Sequence, residues 1–156
     1  MNIWEILDNT ALATAVRESL WVYPTIITFH TVGLAFLVGI LFMIDLRVLG
    51  FAKETPIQPL KKYIPIAMTG FLVNLTTGLM LFMADAVRFV SNWMFLSKIG
   101  LITVGVIIAL RLNNAIFADG FPSGDVPQKQ KILALISIIV WLAAMTAGRM
   151  TAYLGD

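Results

Sequence analysis

The chain has no cysteine, a single histidine and few charged residues. Without cysteine it cannot form disulfides, iron–sulfur clusters, thiolate zinc sites or the covalent attachment of c-type haem. Only 13% of the 156 residues are charged, against about 25% in an average soluble domain. The sequence also lacks a catalytic carboxylate pair, a nucleophile–base set and a phosphate-binding loop. It therefore argues against a hydrolase or transferase and leaves at most a redox protein.

The chain is instead rich in long hydrophobic segments. Hydrophobic residues make up 59% of the sequence, and the mean hydropathy is +0.88. A membrane-spanning helix needs roughly 20 mostly apolar residues, and four segments meet or approach that length. We predict spans at residues 20–48, 63–84, 93–112 and 132–153. The predicted fold is an all-α transmembrane four-helix bundle, with residues 1–156 forming one integral membrane domain in the lipid bilayer.

The N-terminal segment, residues 3–17, differs from these spans in being amphipathic. Its apolar side chains can share one side, with Glu5 and Asp8 away from it, which predicts a helix lying along the membrane interface. The alternative is an early extension of the first span. Because Glu5 and Asp8 stand where a secretory signal would be basic, no signal peptide is expected.

The lysines and arginines are divided unevenly between the two sides that four spans define. Seven fall in or beside the loops after the first and third spans: Arg47, Lys53, Lys61, Lys62, Arg111, Lys129 and Lys131. Four fall on the other side: Arg17, Arg88, Lys98 and Arg149. The positive-inside rule places the first set in the cytoplasm and both termini outside. Lys98 is expected to extend its ammonium to the lipid headgroups.

The only histidine, His30, lies about ten residues inside the first span, and Asn74 lies at a similar depth in the second. A polar side chain in hydrocarbon needs a partner. One interpretation is an interhelical hydrogen bond between His30 and Asn74 that joins the helices. The other is that His30 is the axial ligand of a b-type haem iron, which needs no cysteine. Gly33, one turn along, would then leave room for a flat porphyrin.

Two arginines are candidates for the haem propionates, because guanidinium binds carboxylate in a bidentate fork. They are Arg149, which follows an uncharged run at the end of the last span, and Arg88. A lipid phosphate or Glu18 is the alternative partner for either arginine. Copper is a weaker alternative to haem, since the eight methionines offer thioether ligands but are scattered. Asp45 and Arg47 are expected to reach separate partners, such as Lys62 or a lipid headgroup, because residues two apart on a helix do not face each other. The alternative is a solvated helix end.

Several short motifs together resemble an uncharacterised family of small four-helix bacterial inner-membrane proteins. They are SLWVYP, HTVG, DLRVLG, GFLVNLTTGLMLF and AGRMTAY. That family is distantly similar to copper-resistance-D-type membrane domains and to membrane cytochrome b domains. The resemblance implies a location in the bacterial inner membrane, which would make the outer side of both termini the periplasm. It also implies haem held between helices, but cytochromes of this kind use two or more histidines and this chain has one.

The predicted function is therefore a small membrane protein that binds haem b through His30, for electron transfer or for redox or gas sensing. The sixth iron position would be open, or held by water, a methionine or His30 of another subunit. The alternative is a non-catalytic scaffold or accessory subunit in which His30 and Asn74 form an interhelical hydrogen bond. Four short helices bury little interior, and small residues allow close contact between protomers. We therefore also expect a homo-oligomer, a trimer or a dimer.

Overall fold

The structure, a computed structural model, describes residues 2–118, 126–151 and 153. Its helices in chain order are α1 (Ile3–Asp8), α2 (Ala11–Glu18), α3 (Val22–Leu49), α4 (Ile64–Met83), α5 (Ala86–Ser91), α6 (Trp93–Phe117) and α7 (Gln128–Met150), with a 3-10 turn, Gln58–Tyr63, before α4. Four helices are long and apolar enough to cross a membrane: α3, the 3-10 turn with α4, α6 and α7. The predicted all-α fold with four membrane spans is confirmed.

The observed boundaries follow local chemistry. Gly50 ends α3 in the left-handed conformation (φ 104°) that favours glycine. Asn92 starts α6 by accepting hydrogen bonds from the main-chain N–H groups of Met94 and Phe95. α6 then continues to Phe117, five residues past the predicted end, because residues 113–117 add no glycine or proline. The segment between α6 and α7 at residues 119–125 lies outside the described residues.

The amphipathic N-terminal segment forms two short helices instead of one. The break falls at Asn9–Thr10, where the Thr10 hydroxyl caps α2 by accepting from Ala13 N at 3.2 Å. A second break at residues 19–21 separates α2 from α3, so α2 is not an extension of the first span. α1 packs against α5 and α2 against α4. The segment therefore covers one end of the bundle.

The four long helices form an incomplete ring. α3 packs along α4 on one side and against α7 on the other, and α7 packs against α6. The main chains of α4 and α6 hardly approach each other. The order across the bundle is therefore α4–α3–α7–α6, with an opening between the first and the last.

The interior of the bundle is packed with side chains at one end and contains a cavity at the other. At one end, which we call the closed end, apolar side chains pack into a continuous cluster: Ile44, Val48, Leu60, Leu112, Ile116, Val126 and Ala134. The other end, which we call the open end, carries α1, α2, α5 and the last residues of α7. Its interior is a cavity lined by residues of α2 to α7.

Candidate functional site

The cavity at the open end has a volume of about 910 Å³, within the range of roughly 300–1,000 Å³ typical of small-molecule sites. His30 of α3 and Asn74 of α4 line its inner part, and Trp141 of α7 lines the wall opposite. Phe82 and Phe95 stack across the opening between α4 and α6, with ring centroids 5.5 Å apart. The cavity therefore combines a polar interior point with aromatic walls.

A hydrogen bond between two helices fixes the His30 ring. Its Nδ1 lies 3.0 Å from the Thr77 hydroxyl of α4. That hydroxyl also lies 2.7 Å from the Val73 carbonyl, to which it donates. With its proton directed there, the Thr77 oxygen is an acceptor for Nδ1–H, which favours the tautomer with a bare Nε2. Among the described residues Nε2 has no hydrogen-bond partner, so its lone pair is available to a ligand.

Asn74 bonds the main chain of His30 and not its ring. Its side-chain amide donates to the main-chain carbonyl of His30 at 2.8 Å, and the imidazole bonds Thr77 instead. An interhelical hydrogen bond between the two residues is present, but it does not involve the ring. Sequence reasoning missed Thr77 because a threonine in a membrane helix usually bonds its own helix four residues back. The signal that could have identified Thr77 is its position three residues after Asn74, which places both side chains on one face of α4.

Gly33 lies at a helix crossing, not beside a free space. A Cβ added there would lie 2.8 Å from the Gly70 carbonyl, so the backbone of α4 fills the position where the sequence predicts room for a porphyrin. Gly78 is the glycine that leaves room beside the imidazole, because a Cβ there would lie 3.2 Å from His30 Cε1. The sequence signal for Gly78 was its position one turn beyond Asn74 on the same helix.

All four cations that the sequence assigns to this side of the membrane line the cavity: Arg17, Arg88, Lys98 and Arg149. Arg17 donates to the main-chain carbonyls of Ala84 at 2.7 Å and Asp8 at 2.5 Å, which ties α2 to the end of α4. Arg88 lies 3.8 Å from the carboxylate of Asp85, the one acidic residue among the described lining. The cavity therefore carries excess positive charge and suits an anionic ligand.

Lys98 differs from its prediction. Its side chain packs over Gly148 of α7, where an added Cβ would lie 3.3 Å from the lysine Cε. It is half-buried and lines the cavity together with His30. The expected extension to the headgroups does not occur, because Gly148 leaves a groove for the aliphatic chain inside the bundle.

Asp45 and Arg47 lie towards the closed end. A solvated helix end is one expectation for them, but Asp45 is buried. Only 2% of Asp45 is exposed, because its side of α3 packs against α7, where Ser137 lies beside it. Among the described residues its Oδ2 has no hydrogen-bond partner. Arg47 donates to the main-chain carbonyls of Lys53, at 3.0 Å, and Thr55. The predicted partner Lys62 is bonded to neither; it lies over the Tyr63 ring.

A metal centre made from protein ligands alone has little support in the described part of the chain. No group of three or more histidine, aspartate or glutamate side chains is gathered there. Met145 is the one methionine among the described residues of the His30 cavity. Within the described lining, His30 and Met145 are the imidazole and thioether side chains that a metal could meet.

Comparison with known proteins gives one match. No curated protein and no solved structure matches the chain. A protein family does, over residues 10–154, which covers all four membrane spans and the described cavity. The chain therefore belongs to the family of unknown function DUF6644.

Proposed function

We propose that the protein binds haem b in the open-end cavity, with His30 as an axial ligand, and acts in electron transfer or in redox or gas sensing. The observation that carries the proposal is the orientation of the imidazole. Nδ1 lies 3.0 Å from the Thr77 hydroxyl, whose own proton is directed to Val73 O. This arrangement favours a proton on Nδ1 and leaves Nε2 free within the described residues. A histidine that ligates a metal through one nitrogen commonly donates from the other to a fixed acceptor.

The residues present fit a haem in volume, polarity and charge. The cavity of about 910 Å³ is of the size that holds a large planar ligand. Its aromatic walls suit a macrocycle, and its excess of cations suits two carboxylates. When bound, haem would supply an iron centre for one-electron transfer or gas binding. The chain would supply the orientation, the charge and the exclusion of water.

Each residue then has a distinct task. Thr77 would hold the tautomer and the plane of the ring, and Asn74 would hold the backbone that carries it. Arg149 is exposed and lines the cavity, so its guanidinium can reach a carboxylate. Arg88 lines the same cavity next to Asp85. Met145 is the lining residue that could serve as a second ligand; water, an open position or a second subunit's histidine are the other options.

A scaffold or accessory subunit is the second candidate. The bonds from Thr77 and Asn74 already join α3 to α4, and each such bond stabilises a helix pair by about 0.6–2 kcal/mol. Under this function His30 would only join helices. The free Nε2 favours the haem proposal, because helix packing does not use it.

The setting of the site is part of the proposal. We place the loops around Lys61 and Lys129 in the cytoplasm and both termini in the periplasm of a bacterial inner membrane, on the seven-to-four division of cations. The open end then faces the periplasm. We also propose that the chain is distantly similar to copper-resistance-D-type and cytochrome b membrane domains. We further propose that it assembles as a trimer or a dimer. Single cysteines introduced at Lys62 and Leu20 can be tested in intact cells with a thiol reagent that does not cross the membrane. We expect labelling at Leu20 and not at Lys62. Labelling at Lys62 alone would show the opposite orientation.

The haem proposal is tested by the absorption spectrum of protein purified from haem-replete cells, oxidised and reduced. We expect a Soret band in the wild type, its loss in His30→Gly, and partial return when imidazole is added to that variant. Thr28→Val is the matched control, because Thr28 bonds only its own helix at Pro24 O, and it should keep the band. Colourless wild-type protein that stays colourless after haem addition would refute the proposal and leave the scaffold function.

A further inference from the structure

A second cavity opens between α4 and α6, towards the surrounding lipid. Its volume is about 520 Å³, and it meets the first cavity at a shared set of residues that includes His30 and Lys98. Its walls are apolar: Phe71, Leu75 and Leu79 follow one face of α4, and Ile99, Val106 and Ile107 follow one face of α6. We call this cavity the lateral slot.

The polar end of the lateral slot contains a cation without a partner. Lys98 is half-buried, and among the described residues it has neither a hydrogen bond nor an ion pair. The one acidic residue among the described lining of the first cavity, Asp85, is paired with Arg88. A partly desolvated ammonium in an apolar setting is costly unless an anion or several acceptors reach it. The chain does not supply one in its described part, so a ligand is expected to.

We propose that the lateral slot binds a single-chain lipid acid, with its carboxylate on Lys98 and its acyl chain between α4 and α6. The slot has one charged end and a long apolar remainder, which matches the two parts of such a molecule. A membrane helix about 10 Å across and 30 Å long displaces on the order of 2,000 Å³, far more than the slot offers. The slot is therefore too small for a second helix, and its single charged end matches one acyl chain that carries a carboxylate.

The inference does not depend on haem. The acyl chain would lie between α4 and α6, on the lipid side of His30, whereas the haem proposal uses the first cavity and its arginines. Lys98 lines that cavity too, but the haem proposal assigns it no contact of its own. Each proposal can therefore fail alone. If the protein binds haem but not the acid, only the lipid-acid proposal is refuted. If the protein is colourless but binds the acid, only the haem proposal is refuted.

The test uses diazirine-labelled palmitic acid in phosphatidylcholine nanodiscs that contain the full chain, with crosslinked positions mapped by mass spectrometry. The methyl ester of the same probe is the neutral control. We expect the acid to label the α4 and α6 walls, around Leu75 and Ile99, about tenfold more than the ester, since a charge-assisted hydrogen bond separates the two probes. Wild-type protein purified from haem-depleted cells, which holds no haem under the proposed function, should show the same preference.

Variants of the lysine separate charge from packing. Lys98→Met keeps an apolar chain over Gly148 and should abolish the preference for the acid, whereas Lys98→Arg should retain it. Lys129→Met, at the other end of the bundle, is the matched control and should behave as the wild type. Equal labelling by acid and ester would overturn the proposal, as would label spread over lipid-facing residues of α7 such as Ile139. Competition by phosphatidylglycerol would identify a headgroup phosphate as the occupant, which also overturns the proposal.

Discussion

The closed and open ends of the bundle are built from the same kinds of helix but are completed differently. At the closed end, Leu112 and Ile116 of α6 meet Ile44 and Val48 of α3, and all four are at most 1% exposed. At the open end the same helices diverge around a cavity that contains an imidazole and several cations. In a bilayer, lipid tails are as apolar as leucine, so helices associate mainly through close packing. The comparison teaches that the closed end holds the bundle together, which leaves the open end free to bind.

Between the two ends, α3 and α4 cross with their backbones in close approach. Gly33 and Gly70 face each other, so that a Cβ on either would come within 2.8 Å of the other's carbonyl oxygen. This crossing fixes the distance between the helices that carry His30 and Thr77. The geometry of the ring therefore depends on two glycines that do not line the described cavity.

The largest expected effect is at the closed end. Leu112→Ala removes a side chain that is 1% exposed, and burial of that degree makes such truncations cost about 2–5 kcal/mol. Thermal unfolding in detergent should show a clear decrease in melting temperature. Leu110→Ala, two residues away on the same helix and 51% exposed, is the matched control and should change stability by less than about 0.5 kcal/mol. Equal effects from the two variants would mean that the closed end does not hold the bundle together.

An intermediate effect is expected at the helix crossing. Gly70→Ala places a Cβ 2.7 Å from Gly33 O and 3.0 Å from Leu37 N, so the two backbones must separate, at a cost of about 1–3 kcal/mol. Gly39→Ala adds the same methyl group on α3 where nothing lies within 4 Å, and it should be neutral or slightly stabilising. The melting temperatures of the two variants decide the point. A stable Gly70→Ala would show that the crossing is looser than described.

The smallest effect on stability, but a specific one on binding, is expected at Thr77. Thr77→Val keeps the shape of the side chain and removes the hydroxyl that bonds His30 Nδ1. The free energy of unfolding should therefore decrease by only about 0.6 kcal/mol. The rate at which haem transfers to an acceptor apoprotein should nevertheless rise, because loss of such a partner weakens metal binding about 10–100-fold. Thr76→Val is the control, since the Thr76 hydroxyl bonds only Leu72 of its own helix. If both variants retain haem equally, Thr77 does not orient the ring.

The sequence by itself determined the architecture. Four apolar segments of spanning length leave a chain no alternative to membrane helices, because every backbone polar group must be bonded within the segment. Gly50 and the Asn92 cap marked helix ends for local reasons that any reader of the sequence can apply. Sequence also placed His30 and Asn74 at one depth, since rise along a helix is constant.

Only the tertiary structure decided which faces meet. Rotation of each helix about its axis determines that the imidazole bonds Thr77 and not Asn74, and that Gly33 meets Gly70 while Gly78 meets His30. The same rotation buries Asp45 beside α7 and turns Lys98 inward over Gly148. In a mostly apolar helix the sequence pattern distinguishes its faces only weakly, since lipid-facing and protein-facing residues are chemically alike. Depth can be counted from the sequence, but the direction in which a side chain points is set by the packing of neighbouring helices.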